Sequence, residues 1–170
     1  MKPIGKQDDQ TFFYQGPSLD EVCLLNMARD IRDLGYFYGR DSETVKIRYS
    51  DNNDADFKIL KYNEFDSVRK CASIVVEGQD GQVIVYVKGS DSTLLKMLSP
   101  ESNCKVQLER DIDDFASKGL RTLVFAYKEI VSEVSINEET NWDEVLIENV
   151  ESNLQLLGAT GVEDLLQENV

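Results

Sequence analysis

Apolar positions first recur at helical spacing, at Leu24, Leu25, Ala28 and Ile31, behind the quartet Ser18-Leu19-Asp20-Glu21. That quartet has the form of a capping box, in which the Ser18 hydroxyl accepts from the Glu21 amide and the Glu21 carboxylate reaches back. The spacing predicts a helix that stops at Gly35 as a C′ glycine. From Tyr36 the period drops to two. Residues 36–40, 44–49, 56–65, 72–77 and 82–88 are β-branched or aromatic runs of strand length. Turn residues separate two pairs of them, Asp51-Asn52-Asn53-Asp54 and Gly78-Gln79-Asp80-Gly81, which predicts antiparallel hairpins. Short helices are expected over 91–98, ahead of Pro100, and over 106–118, ahead of Gly119. A further strand is expected over 120–130. Apolar residues then thin out until Trp142 and a helical stretch at 145–149. Thr160-Gly161-Val162-Glu163 repeats the capping-box form and predicts a closing helix through Leu165 and Leu166. Residues 1–15 read as a poorly ordered lead-in. The expected fold class is α+β, a mostly antiparallel twisted β-sheet flanked by helices.

Composition narrows the function. With 170 residues and 41% apolar content the chain suits one domain, or one domain with a short appendage. Eighteen basic against 32 acidic residues give a net charge of -14, which repels phosphate backbones and anionic lipid. No nucleic-acid partner and no membrane-surface binding are expected. The absence of histidine excludes Ser-His-Asp and Cys-His catalysis and His-ligated zinc. Cys23, Cys71 and Cys104 are far apart and form no CxxC, so they indicate neither a zinc knuckle nor a disulfide framework. The longest apolar run, 83–87, is far short of the ~20 residues of a membrane helix, and the first fifteen residues lack the apolar segment of a signal peptide.

Four clusters could carry chemistry. Glu64-Phe65-Asp66-Ser67-Val68-Arg69-Lys70 joins two predicted strands. Its ring followed by adjacent cations suits a purine and its phosphates, or else is a core phenylalanine beside a solvated turn. Lys88-Gly89-Ser90-Asp91 lies where a strand gives way to a helix. It offers close backbone approach beside a lysine, or simply an N-cap. Gly119-Leu120-Arg121 places an arginine, suited to bidentate phosphate contact, after a helix stop, where a plain surface arginine also fits. Glu21 is either a capping carboxylate or an acceptor for an adenine amino group. The cations Lys70, Lys88 and Arg121 all fall at element boundaries, where sites usually form. Paired acids such as Asp113-Asp114 do not face one another on a helix and read as solvated charge.

Together the stretches EFDSVRKCASIVVEGQDGQVIVYVKGSD, DDFASKGLRTLVFAYKEI and NLQLLGATGVEDLLQENV resemble the nucleotide-binding (N) domain of P-type ATPases, in the phospholipid-flippase branch. The family strings are EFxSxRKRMSVIV, KGAD, DFAxxGLRTL and LLGATAxEDxLQ, and the likeness runs in order from Gly16 to Val170. The resemblance implies an ATP-binding site. Phe65 matches the adenine-stacking aromatic, Lys70 the RK lysine, and Lys88 with Gly89 the start of KGAD. Arg121 matches the phosphate-directed arginine, and Glu21 the acid of SPDE. The sequence departs at Leu19 (SLDE for SPDE), at Ser90 (KGSD) and at Ala72, where the family has a methionine.

The same resemblance implies three parts. Residues 1–15 are a lead-in, 16–155 the N domain, and 156–170 a hinge with the first helix of a truncated phosphorylation domain. The strings DKTGT, TGE(S/T) and GDGxND do not occur. The resemblance therefore implies a cytosolic domain of an integral membrane protein that binds ATP without hydrolysing it. Its expected partners are the phosphorylation and actuator domains of the parent chain, with Mg2+ used by the parent and phospholipid met by its membrane part. Two alternatives stand beside this: the N domain of a cation-transporting P-type ATPase, and an acidic protein-interaction module that binds no nucleotide.

Overall fold

The structure is a computed structural model and describes residues 2–6, 11–16, 18–31, 35–51, 53–102, 104–130 and 147–163. The chain divides into two units, Met1–Leu60 with Val76–Gln82 and Lys61–Val75 with Val83–Val170.

In the first unit, β1 (Lys2–Lys6) pairs antiparallel with β2 (Thr11–Gln15), Lys2 opposite Gln15 and Lys6 opposite Thr11. Ordered strands thus replace the expected lead-in at these positions. What anchors them is Tyr14, which is 4% exposed, and whose hydroxyl donates to the Phe37 carbonyl at 2.5 Å. One buried aromatic with its polar tip satisfied orders a strand too short to announce itself by alternation.

The helix α1 (Leu19–Asp30) begins as its capping box predicts, with Ser18 Oγ accepting from the Glu21 N–H at 3.3 Å. It ends before Gly35, which opens β3 (Gly35–Arg40) at φ 135. A Cβ at Gly35 would lie 2.8 Å from the Arg48 carbonyl oxygen, so this glycine permits close strand approach and is not the helix stop. Next, β4 (Thr44–Tyr49) pairs antiparallel with β3 on one side and with the start of β5 (Asp54–Asp66) on the other. Tyr14 and Tyr36 form the core here, with Val22, Leu25, Phe37 and Tyr38 packed against them.

Burial pushes the Tyr14 hydroxyl up from its ordinary pKa of 10.0 to about 12. The folded state then holds this proton more tightly than the unfolded state, so stability falls as pH rises from 10.0 to about 12. Urea midpoints across that range are expected to drop less steeply for Tyr14→Phe than for the wild type. Equal slopes would mean that Tyr14 ionises normally in the fold.

At Leu60 the strand β5 passes from the first unit to the second, and β6 (Cys71–Glu77) passes back after Val75. The second unit continues with β7 (Val83–Gly89), α2 (Asp91–Met97), α3 (Lys105–Ser117), β8 (Arg121–Glu129), α4 (Ile147–Val150) and β9 (Gln155–Val162). Its hydrogen-bonded strand order is β5-β6-β7-β8-β9. The pairs β7 with β8 and β8 with β9 are antiparallel. Val85, Val87, Val124 and Ala126 pack in its core with Leu94, Leu98 and Leu154. Leu98 and Leu154 also form a parallel bridge that ties the end of α2 to the start of β9.

The capping-box reading at Thr160 fails, because Thr160 pairs with Leu123 and Val162 with Arg121 inside β9. Gly161 packs so closely that an added Cβ would stand 2.8 Å from Leu120 and 3.1 Å from Phe115. Edge pairing and this contact outweigh a local cap. Trp142, Val145, Leu165 and Leu166 lie outside the described residues. The observed class is α+β with a mostly antiparallel sheet. Among the described residues no helix is long and apolar enough to cross a membrane.

Candidate functional site

Five of the six candidate residues, Phe65, Lys70, Lys88, Gly89 and Arg121, belong to the second unit. Phe65 is the penultimate residue of β5 and is 65% exposed, which removes the core-aromatic reading. After it the chain turns tightly. Asp66 Oδ1 accepts from the amides of Val68 (2.6 Å) and Arg69 (3.3 Å), and the Lys70 N–H donates to the Asp66 carbonyl at 2.6 Å. Lys70, exposed, closes this turn in the left-handed region at φ 55. Few non-glycine residues adopt that conformation, and they cluster at sites where surrounding bonds fix the backbone.

The carbonyl of Lys70 accepts from the Ser90 N–H at 3.0 Å. This bond joins the first motif to the second. It sets Cys71 across from Gly89, where an added Cβ would meet Cys71 Cβ at 2.6 Å, Leu94 Cδ2 at 2.7 Å and the Lys70 carbonyl at 2.7 Å. Only a glycine permits that approach. Lys88 is half-buried. Ser90 caps α2 without a side-chain hydrogen bond to its backbone, and its hydroxyl instead donates to Thr93 Oγ1 at 3.0 Å.

Lys88 pairs with Phe125 of β8, and next to them Tyr86 and Tyr127 stack at 6.4 Å between centroids. Alternation along β8 puts Arg121, its first residue, on the same face as Phe125. They are four positions apart, or ~13 Å along the strand. Arg121 is exposed and follows Gly119, whose φ of 71 ends the α3 segment as predicted. Glu21 is the sixth candidate. It belongs to the first unit, half-buried in the first turn of α1, where its amide is the one capped by Ser18. Among the described residues no three Cys, Asp or Glu side chains gather as a metal site.

The most conspicuous polar feature escapes a reading of the sequence. Glu151 is 4% exposed and accepts from Arg69 Nη2 and from Ser73 Oγ, both at 2.5 Å. Ser73 in turn accepts from Asn63 Nδ2 at 2.9 Å. Cys71 Sγ stands 4.0 Å from the same carboxylate, and burial, with the negative charge of Glu151, raises its thiol pKa. For Arg69, burial opposes the charge, but the hydrogen bond and charge of Glu151 outweigh it and the guanidinium is held above its ordinary range. In sequence Glu151 is one more acid in an acidic stretch, and its partner is 82 residues away.

Comparison with known proteins gives the family. The family model described as P-type ATPase, cytoplasmic domain N, matches residues 6–169. The chain belongs to that family. It is similar to the probable phospholipid-transporting ATPase 12 of Arabidopsis thaliana (36% identity, 99% of this chain and 16% of the relative). It is also similar to phospholipid-transporting ATPase IC of Xenopus tropicalis (32% identity, 98% of this chain and 14% of the relative). Phospholipid-transporting ATPase VD of Macaca fascicularis is 36% identical over 92% of this chain and 28% of its own length. The chain therefore spans less than a third of the length of each of these relatives.

Proposed function

We propose that this chain is the ATP-binding N domain of a phospholipid-translocating P-type ATPase, with the N-domain-like fold that membership implies. Phe65 stacks the adenine, Lys70 and Lys88 with Gly89 line the base end of the site, and Arg121 meets the phosphates. The observation that carries the reading is the bond from the Ser90 amide to the Lys70 carbonyl, which draws two separate motifs to the same strand ends. A scarcity of cations in a chain of net charge -14 adds weight, since three of them fall on this segment of the fold. The flippase branch is favoured over cation pumps by relatives whose names are those of phospholipid-transporting ATPases.

On this reading residues 16–155 are the N domain and 156–170 the hinge with the start of the phosphorylation domain, and β9 is bonded to β8 across that boundary. The parent is an integral membrane protein whose phosphorylation and actuator domains are partners of this one. Mg2+ serves the parent, and the described residues of this chain gather no acidic cluster to hold it. Phosphoryl transfer needs an in-line nucleophile and a charge clamp held in place, so this chain binds ATP and does not turn it over.

Calorimetric titration is expected to give a Kd on the order of 0.1–1 mM, or about 4–5.5 kcal/mol, as one stacking ring and a few cations allow. No heat at several-millimolar ATP would refute the nucleotide reading. With γ-labelled ATP, neither acid-stable label nor phosphate release above blank is expected. Turnover that disappears in Lys88→Ala would show a complete enzyme.

A further inference from the structure

We infer that Glu151 is a positioning residue for the nucleotide site, acting through Arg69 on the turn that carries Phe65 and Lys70. The inference rests on the nucleotide reading above. The turn is held locally by Asp66, but those bonds fix only its backbone. Its direction relative to the sheet is set from outside: Glu151 Oε1 receives both the Arg69 guanidinium and the Ser73 hydroxyl, and Ser73 receives the Asn63 amide. One carboxylate thus closes a bracket from β5 through β6 to the turn.

Glu151 is itself anchored. Lys128 Nζ donates to the carbonyls of Asn149 and Ser152 at 3.1 Å each, and two residues later the Leu154 N–H donates to the Met97 carbonyl at 2.9 Å. The bracket therefore refers the turn to β8 and to the end of α2, the helix that starts beside Lys88 and Gly89. An ion pair taken out of water adds little net stability over an apolar filling of the same volume. Its distinguishing property is direction, because a guanidinium held by a fixed carboxylate has few alternative poses. Direction matters here because Arg69 adjoins Lys70, a residue in the left-handed region whose carbonyl must meet the Ser90 amide.

The test is ATP titration by NMR on the wild type, Glu151→Gln, Glu151→Asp, Arg69→Met and the Arg69→Met/Glu151→Gln pair, each well below its unfolding midpoint. Each single variant is expected to bind ATP about five- to tenfold more weakly, with the double variant no weaker than the worse single one. The ligand-free amide signals of Val68 and Lys70 should move in all four. A folded Glu151→Gln with wild-type affinity and only a lowered midpoint would overturn the inference and leave the network a purely structural one. Failure of both Glu151 variants to fold would overturn it as well. A wild type that ignores ATP would refute the nucleotide reading itself, whereas a responding wild type with unchanged variants would refute only the role of Glu151.

Discussion

Gly89→Ala is expected to lower the stability of the second unit by about 3 kcal/mol, the upper part of the range for forcing extra volume into a packed interior. An alanine Cβ would stand 2.6 Å from Cys71 Cβ, 2.7 Å from Leu94 Cδ2 and 2.7 Å from the Lys70 carbonyl. Cys71 and Leu94 are both fully buried and have no room to retreat. The carbonyl is backbone and is bonded to Ser90, so relief would have to come from separating β6 and β7. That movement breaks the bond joining the two motifs, and ATP binding should fall with stability. Gly39 is the control, because its added Cβ would meet nothing nearer than Lys46 Cδ at 4.0 Å. Denaturant unfolding should separate the two variants clearly. Equal midpoints would mean that the corner is looser than its geometry.

Phe65→Ala and Lys88→Ala are each expected to weaken ATP binding by about 1–2 kcal/mol, the scale of one base-stacking ring or one charged hydrogen bond. That is roughly five- to thirtyfold in Kd. Neither should move the thermal midpoint much. The Phe65 ring is 65% exposed and contributes little to the core, while Lys88 lies on the less buried face of β7. The contrast with Gly89 is the informative part: one position supports the fold, and its neighbours act on the ligand. Should Phe65→Ala unfold the unit, the exposed ring would have a structural role after all.

Much of this was legible because the signals are local. The Ser18 cap, the turn at Gly78 to Gly81 and the stop at Gly119 each need only a few neighbouring residues, and each is found where the sequence predicts it. Errors arose where distant pairing overrode local preference. Thr11–Gln15 becomes a strand because Tyr14 is buried against Phe37, and Thr160 to Val162 become one because β8 supplies an edge. Gly35 looked like a helix stop, and its reason lies instead across the sheet at Arg48. The candidate site shows the same division. Its residue types announce themselves in short motifs, but the carboxylate that braces the turn is one acid among 32 and carries no local mark.

The claim that the β5–β6 turn and the β7–α2 corner bind ATP is tested most directly by following backbone amides during an ATP titration. Saturable shifts are predicted at Phe65, Val68, Lys70, Gly89 and Arg121, fitting one Kd on the order of 0.1–1 mM, with the same amides in Lys88→Ala needing about five- to thirtyfold more ATP to reach the same shifts. No shift at several-millimolar ATP, or shifts confined to residues away from these strand ends, would contradict it.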